Sequence, residues 1–96
     1  MPRIIRTPFA SRDFSAIALY LADKSLDAAL NWMDGIDHTL QLLSHNPLLG
    51  EAVDHLEQGV RRHTYDNYLL FYKPLEDGIE LRRILHGSRR IERLSD

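Results

Sequence analysis

Along the first half of the chain the apolar positions recur with a helical period. Phe14, Ile17, Ala18 and Leu21 fall at i, i+3, i+4 and i+7, so one amphipathic helix is predicted over about Phe9 to Lys24. Ser25 is placed to cap a second helix, with Asp27 in its first turn against the positive end of the helix dipole. The stripe of that helix runs Ala29, Trp32, Met33, Ile36, Leu40 and Leu43, and Asn46-Pro47 ends it. So short a connection forces the two helices antiparallel, as a hairpin. Trp32 and Met33 are read as core residues. Gly35 interrupts the second helix at a cost of about 1 kcal/mol relative to alanine. Either the first helix approaches closely there or the glycine is tolerated without purpose.

Ahead of the helices, Arg3-Ile4-Ile5-Arg6-Thr7 is a short β-prone run stopped by Pro8 and reads as an opening strand. After them, Leu48 to Gln58 has no firm period and reads as a loop, with room for a short helical turn. Beyond Gly59 the period shortens. Val60–Tyr65, Tyr68–Lys73 and Ile79–His86 are rich in branched and aromatic residues, separated by Asp66-Asn67 and by residues 74–78. The first spacer suits a tight hairpin turn, and the second a longer loop containing Asp-Gly. The predicted order is β-α-α-β-β-β: an α+β fold with an N-terminal strand, an antiparallel helical hairpin and a three-stranded antiparallel meander, in one domain over residues 1–96.

Two features of the strands strain this scheme. Tyr68-Leu69-Leu70-Phe71-Tyr72 is apolar on both alternating faces, as in a strand buried from two sides. Two helices cover only one side. The other is left to the tail after Gly87 or to a partner protein, and a partner is expected, since uncovered aromatic side chains would forgo several kcal/mol at about 25 cal/mol per Å². In the last strand, Ile79 and Leu81 share a face while Ile84 belongs to the other. A bulge at Arg82-Arg83 would reconcile the halves; alternatively Arg83 lies beyond the edge of the helical cover.

Composition narrows the class. Ninety-six residues, 44% of them apolar, suit one core. No cysteine is present, so neither a disulfide framework nor a thiolate zinc site is available. No stretch is long and apolar enough for a bilayer span, and the charged start MPRIIRTPFASRD does not resemble a secretory signal. A cytoplasmic protein is expected.

The net charge of −2 conceals an asymmetry. Residues 1–60 hold four Lys or Arg against eight Asp or Glu, whereas residues 61–96 hold eight against six, and seven of the ten arginines lie in that second part. Guanidinium groups match phosphate and carboxylate in a two-pronged fork, so this usage points to a recognition surface; a solvated charged face is the plainer account. His86, which ends a strand beside Arg82, Arg83, Arg89 and Arg90, is a candidate acid or base at a phosphodiester, or else a residue that hydrogen-bonds the adjoining backbone and fixes the turn. The five histidines lack the helical spacing of a metal pair, and no Gly-rich phosphate loop, nucleophile elbow or dinucleotide fingerprint occurs. No cofactor and no metal are expected.

The order of elements, with TPFASRDFSAIALYLA, NWMDGIDHTLQLLSHNPLLG, the GVRRHTYDNYLLFYKP hairpin and the closing LRRILHGSRR, resembles the ParE toxins of the RelE/ParE toxin–antitoxin superfamily over about residues 4–90. The resemblance implies a bacterial toxin held by a ParD-like antitoxin whose extended segment wraps it, with operator DNA bound only through the antitoxin. ParE-like members are known as inhibitors of DNA gyrase, and RelE-like members cleave messenger RNA on the ribosome. Carried over by position, Arg61 aligns with the family's strand arginine and His86-Gly87 with its ending. The expected target-binding set is Arg61, Arg82, Arg83, His86, Arg89 and Arg90, and the expected antitoxin-binding residues are Tyr68, Leu70 and Tyr72. A non-enzymatic gyrase poison is favoured because the tail SRRIERLSD carries no aromatic residue. The alternative is a ribosome-dependent endoribonuclease with His86, Arg61 and Arg82 as its catalytic groups.

Overall fold

A computed structural model describes residues 1–94; the last two positions of the expected 1–96 domain lie outside the described residues. The chain runs β1 (Arg3–Arg6), α1 (Pro8–Lys24), α2 (Leu26–His45), β2 (Glu51–Ala52), β3 (Arg61–Tyr65), β4 (Tyr68–Leu75) and β5 (Gly78–His86). The strands form one sheet in the order β1-β5-β4-β3-β2. The meander β3-β4-β5 is antiparallel, as the alternation predicts, and β1 joins it in parallel along β5. Part of the expected 48–58 loop is a two-residue strand, Glu51 and Ala52 pairing with Arg62 and Arg61.

α2 starts on the expected Ser25 cap, whereas Thr7, expected in the opening strand, caps an α1 that begins at Pro8. Thr7 accepts a hydrogen bond from the Ala10 N–H at 3.1 Å, with Pro8 in the first turn, and Ser25 accepts one from the Ala28 N–H at 3.2 Å. The hairpin lays Phe14, Ile17, Ala18 and Leu21 of α1, with Trp32, Ile36, Leu40 and Leu43 of α2, on one face of the sheet. There they meet Tyr68, Leu70 and Tyr72 of β4 and Ile79, Leu81 and Ile84 of β5.

Gly35 does not mark an approach of α1. A Cβ there would lie 1.8 Å from the Tyr65 hydroxyl, so a side chain of β3 occupies the space. Gly78 serves the parallel pairing: its Cβ would lie 1.8 Å from the Arg3 carbonyl oxygen, and only a bare backbone lets β1 lie against β5.

The slip in β5 is a bulge. Phe71 stands opposite Arg83 and Tyr72 opposite Leu81, so Arg82 is the extra residue. Leu81 and Ile84 therefore both face the helices although three positions separate them, and Leu85 turns to the other side. The Arg82 carbonyl, displaced from the ladder, accepts a hydrogen bond from the Thr7 hydroxyl at 3.0 Å. One side chain thus caps α1 and ties it to the bulge.

The expected uncovered face is closed by the chain itself. Phe71 packs with Val53, Val60, Leu85 and Leu94, flanked by Leu56, Leu69 and Ile91, and its exposure is 0%. The 53–60 segment and the tail supply the second cover, so no partner is needed to shelter this strand. The physical reason is the return of the chain after Gly87, which places Ile91 and Leu94 over the sheet.

Candidate functional site

β5 and the tail after it gather most of the nominated cations, and the structure divides them sharply. Arg83 is partly buried between sheet, helix and tail. Its Nε lies 2.7 Å from Asp13 Oδ2 and its Nη2 3.1 Å from Oδ1, while Nη1 donates to the Leu94 carbonyl at 2.6 Å. Asp13 also accepts the Ile84 N–H at 3.0 Å. This internal clamp commits the Arg83 guanidinium, while its side chain still lines the cavity beyond β5.

Arg82, re-aimed by the bulge, pairs with Glu57 at 2.8 Å and Glu80 at 3.1 Å. Arg61 donates to the carbonyls of Gly50 at 2.6 Å and Leu48 at 3.3 Å, bracing the turn after α2. The same turn is held by Tyr72, whose hydroxyl donates to the Pro47 carbonyl at 2.7 Å and accepts from the Gly50 N–H at 2.8 Å. Arg61 and Arg82 are therefore bound to acceptors of their own chain.

His86 is exposed at the end of β5. Its Nδ1 accepts the Ser88 N–H at 3.1 Å and meets the Ser88 hydroxyl at 2.6 Å, and its ring stands edge-on to Tyr68 at 5.3 Å. Because a backbone N–H donates to Nδ1, the neutral ring carries its proton on Nε2. The turn-fixing arrangement is thus present.

The three groups named for phosphodiester chemistry do not converge. Tyr68 pairs with His86 and Tyr72 with Arg61, so Arg61 lies four residues along the sheet from the His86 row; Arg82 lies four residues from His86 along β5. At roughly 3.3 Å per strand residue, each separation is about 13 Å.

Tyr68, Leu70 and Tyr72, expected as antitoxin contacts, are buried beneath the helical hairpin. Their apolar surface is spent on the chain's own core, which leaves no face for a partner. Burial pushes the phenols of both tyrosines up. For Tyr68 the charges of Tyr20 and Asp66 add to the effect, while for Tyr72 the Gly50 hydrogen bond and the Arg61 charge oppose it.

Two accessible clusters stand out, besides the exposed Leu48 and Leu49 of the turn after α2. After His86, the side chains of Arg89, Arg90 and Arg93 point outward around a cavity of about 230 Å³ floored by Leu85 and Ile91. Arg90 pairs with Glu92 in solvent; among the described residues Arg89 and Arg93 have no ion-pair partner. At the tip of the helical hairpin, Leu19 and Tyr20 of α1 and Leu26 and Leu30 of α2 are exposed, Leu19 to 72% and Leu26 to 65%. These four fall outside the helical stripes of the core, a departure visible in the sequence. Among the described residues no three His, Asp or Glu side chains are grouped to hold a metal ion, and no helix is long and apolar enough to cross a membrane.

Residues 4–91 match the sequence model of the family described as the ParE toxin of the type II toxin-antitoxin system, parDE. Over 69 residues, 71% of this chain and 70% of the relative, the chain is 28% identical to Toxin ParE1 of Mycobacterium tuberculosis, in both the CDC 1551 / Oshkosh and the ATCC 25618 / H37Rv strains. The fold is similar to that in the solved structure of a chromosomal ParDE TA system from P. aeruginosa, with a TM-score of 0.72 over 90% of this chain and 96% of that chain at 22% identity.

Proposed function

This chain belongs to the ParE toxin family of type II toxin–antitoxin systems, and from that premise we propose that it is a cytoplasmic, non-enzymatic toxin that inhibits DNA gyrase and is silenced by a ParD-like antitoxin. The observation that carries binding over cleavage is the fate of the cations. Arg61 and Arg82 are engaged by internal acceptors about 13 Å from His86, whereas an acid–base site needs its groups within hydrogen-bond reach of one reacting centre. Target contact falls to His86, Arg89 and Arg90, joined by Arg93.

With Tyr68, Leu70 and Tyr72 withdrawn into the core, the antitoxin surface moves to the exposed apolar side chains at the hairpin tip, Leu19, Tyr20, Leu26 and Leu30. Burying them would gain roughly 25 cal/mol per Å² of apolar area. Operator DNA is reached through the antitoxin.

A supercoiling assay tests the proposal. Purified toxin is expected to stop gyrase, and equimolar antitoxin to restore it. Full supercoiling at a large toxin excess, or codon-phased messenger cleavage in a translation extract that disappears in His86→Ala, would overturn it.

A further inference from the structure

The cavity beyond β5 has a chemistry of its own. Three guanidiniums within five residues, Arg89, Arg90 and Arg93, surround an aliphatic floor of Leu85 and Ile91, with Arg83 also in the lining. The rest of the molecule is set against anions: residues 1–60 carry eight acidic side chains and four basic ones. A polyanion approaching this chain is therefore repelled by the helical hairpin and oriented toward the tail.

We propose that this cavity is a phosphodiester site through which the toxin grips the backbone of duplex DNA. The proposal deepens the gyrase reading and rests on it for the source of the DNA, namely the duplex held by the target. Two features favour phosphate over the carboxylates of an acidic protein. All the cations are arginine, whose fork matches phosphate oxygens two at a time. Leu85 and Ile91 also set apolar surface among the charges, against which a backbone sugar can lie. Glu92 is the one carboxylate at the rim; by pairing with Arg90 at 3.1 Å it competes with an incoming phosphate. Arg83 also lines the cavity, but its guanidinium is committed to Asp13 and the Leu94 carbonyl, so it positions the tail.

The test is fluorescence anisotropy of the full-length toxin with a short labelled DNA duplex across a sodium chloride series. Two or three phosphate contacts predict a log–log salt slope of about −2 to −3. Arg89→Gln and Arg93→Gln should each reduce its size by about one and weaken binding at low salt. Glu92→Gln should tighten binding severalfold, a gain that misfolding cannot mimic. Absence of binding at the lowest salt, or unchanged binding in the arginine variants, overturns the proposal. So does equal or tighter binding of a labelled poly-glutamate peptide of matched charge, which would make this a surface for acidic protein. Supercoiling assays on the same samples separate the two claims. Duplex binding without gyrase inhibition removes the functional reading and leaves the site, whereas inhibition without duplex binding removes the site and leaves the function.

Discussion

Arg83 and Asp13, seventy positions apart, meet in a two-pronged ion pair that joins the first helix to the last strand. With side chains only 13% and 16% exposed, both charges are largely withdrawn from water. Asp13→Ala strands the guanidinium and also frees the Ile84 N–H. It is expected to cost about 2–4 kcal/mol by urea denaturation. Asp13→Asn keeps an acceptor and should lose less. Equal stability of both variants and the parent would show that the clamp is ornamental.

The second cover of the sheet rests on few residues. Leu94 is almost fully buried against Phe71, Val53, Val60 and Leu85. Leu94→Ala should cost about 2 kcal/mol and increase the binding of a hydrophobic dye to the native state. A tail that merely rests on the surface would show neither change.

Gly35 and Tyr65 should be coupled. Gly35→Ala puts a Cβ where the Tyr65 hydroxyl and ring end lie, 1.8 and 2.1 Å away, and is expected to destabilise by about 1–3 kcal/mol despite alanine's helix propensity. In a Tyr65→Ala background the same change should stabilise by about 1 kcal/mol. A double-mutant cycle measures the reversal, and simple additivity would contradict it.

Stability should fall in alkali in a way assignable to two phenols. Burial raises both Tyr68 and Tyr72 above the ordinary value of 10.0. The folded state therefore holds protons that the unfolded chain releases near pH 10. Their contribution is complete below that pH and is lost as pH rises through the higher folded values. Tyr68→Phe with Tyr72→Phe should flatten the drop in urea stability between neutral pH and pH above 10, although Tyr72→Phe alone lowers neutral stability by about 1–2 kcal/mol through the Gly50 N–H it abandons. An unaltered alkaline slope in the double variant would count against this assignment.

Leu26 separates binding from folding. It is exposed in the first turn of α2, where a carboxylate also suits the helix dipole. Leu26→Asp is expected to leave the melting temperature within about 2 °C of the parent's while weakening antitoxin affinity at least about tenfold by calorimetry. Unchanged affinity in the Leu19→Asp, Leu26→Asp pair would place the antitoxin elsewhere.

The sequence by itself determined whatever depends on neighbours along the chain. The helical stripes, the Ser25 cap, the stop at Asn46-Pro47 and the Asp66-Asn67 turn each arise from interactions within a few residues, and all are in place. The slip in β5 was legible, because alternation has a strict period of two, but a bulge was only one of two ways to absorb it, and the structure shows the bulge, at Arg82. Tertiary structure decided the rest. Which arginines face outward depends on acceptors that lie far away in the chain, Asp13 for Arg83, Glu57 for Arg82 and Gly50 for Arg61. The two-sided burial of Tyr68–Tyr72 was equally visible, but not that Ile91 and Leu94 would supply the second side. Spacing encodes periodicity and local geometry; it carries no record of which distant groups come together when the chain closes on itself.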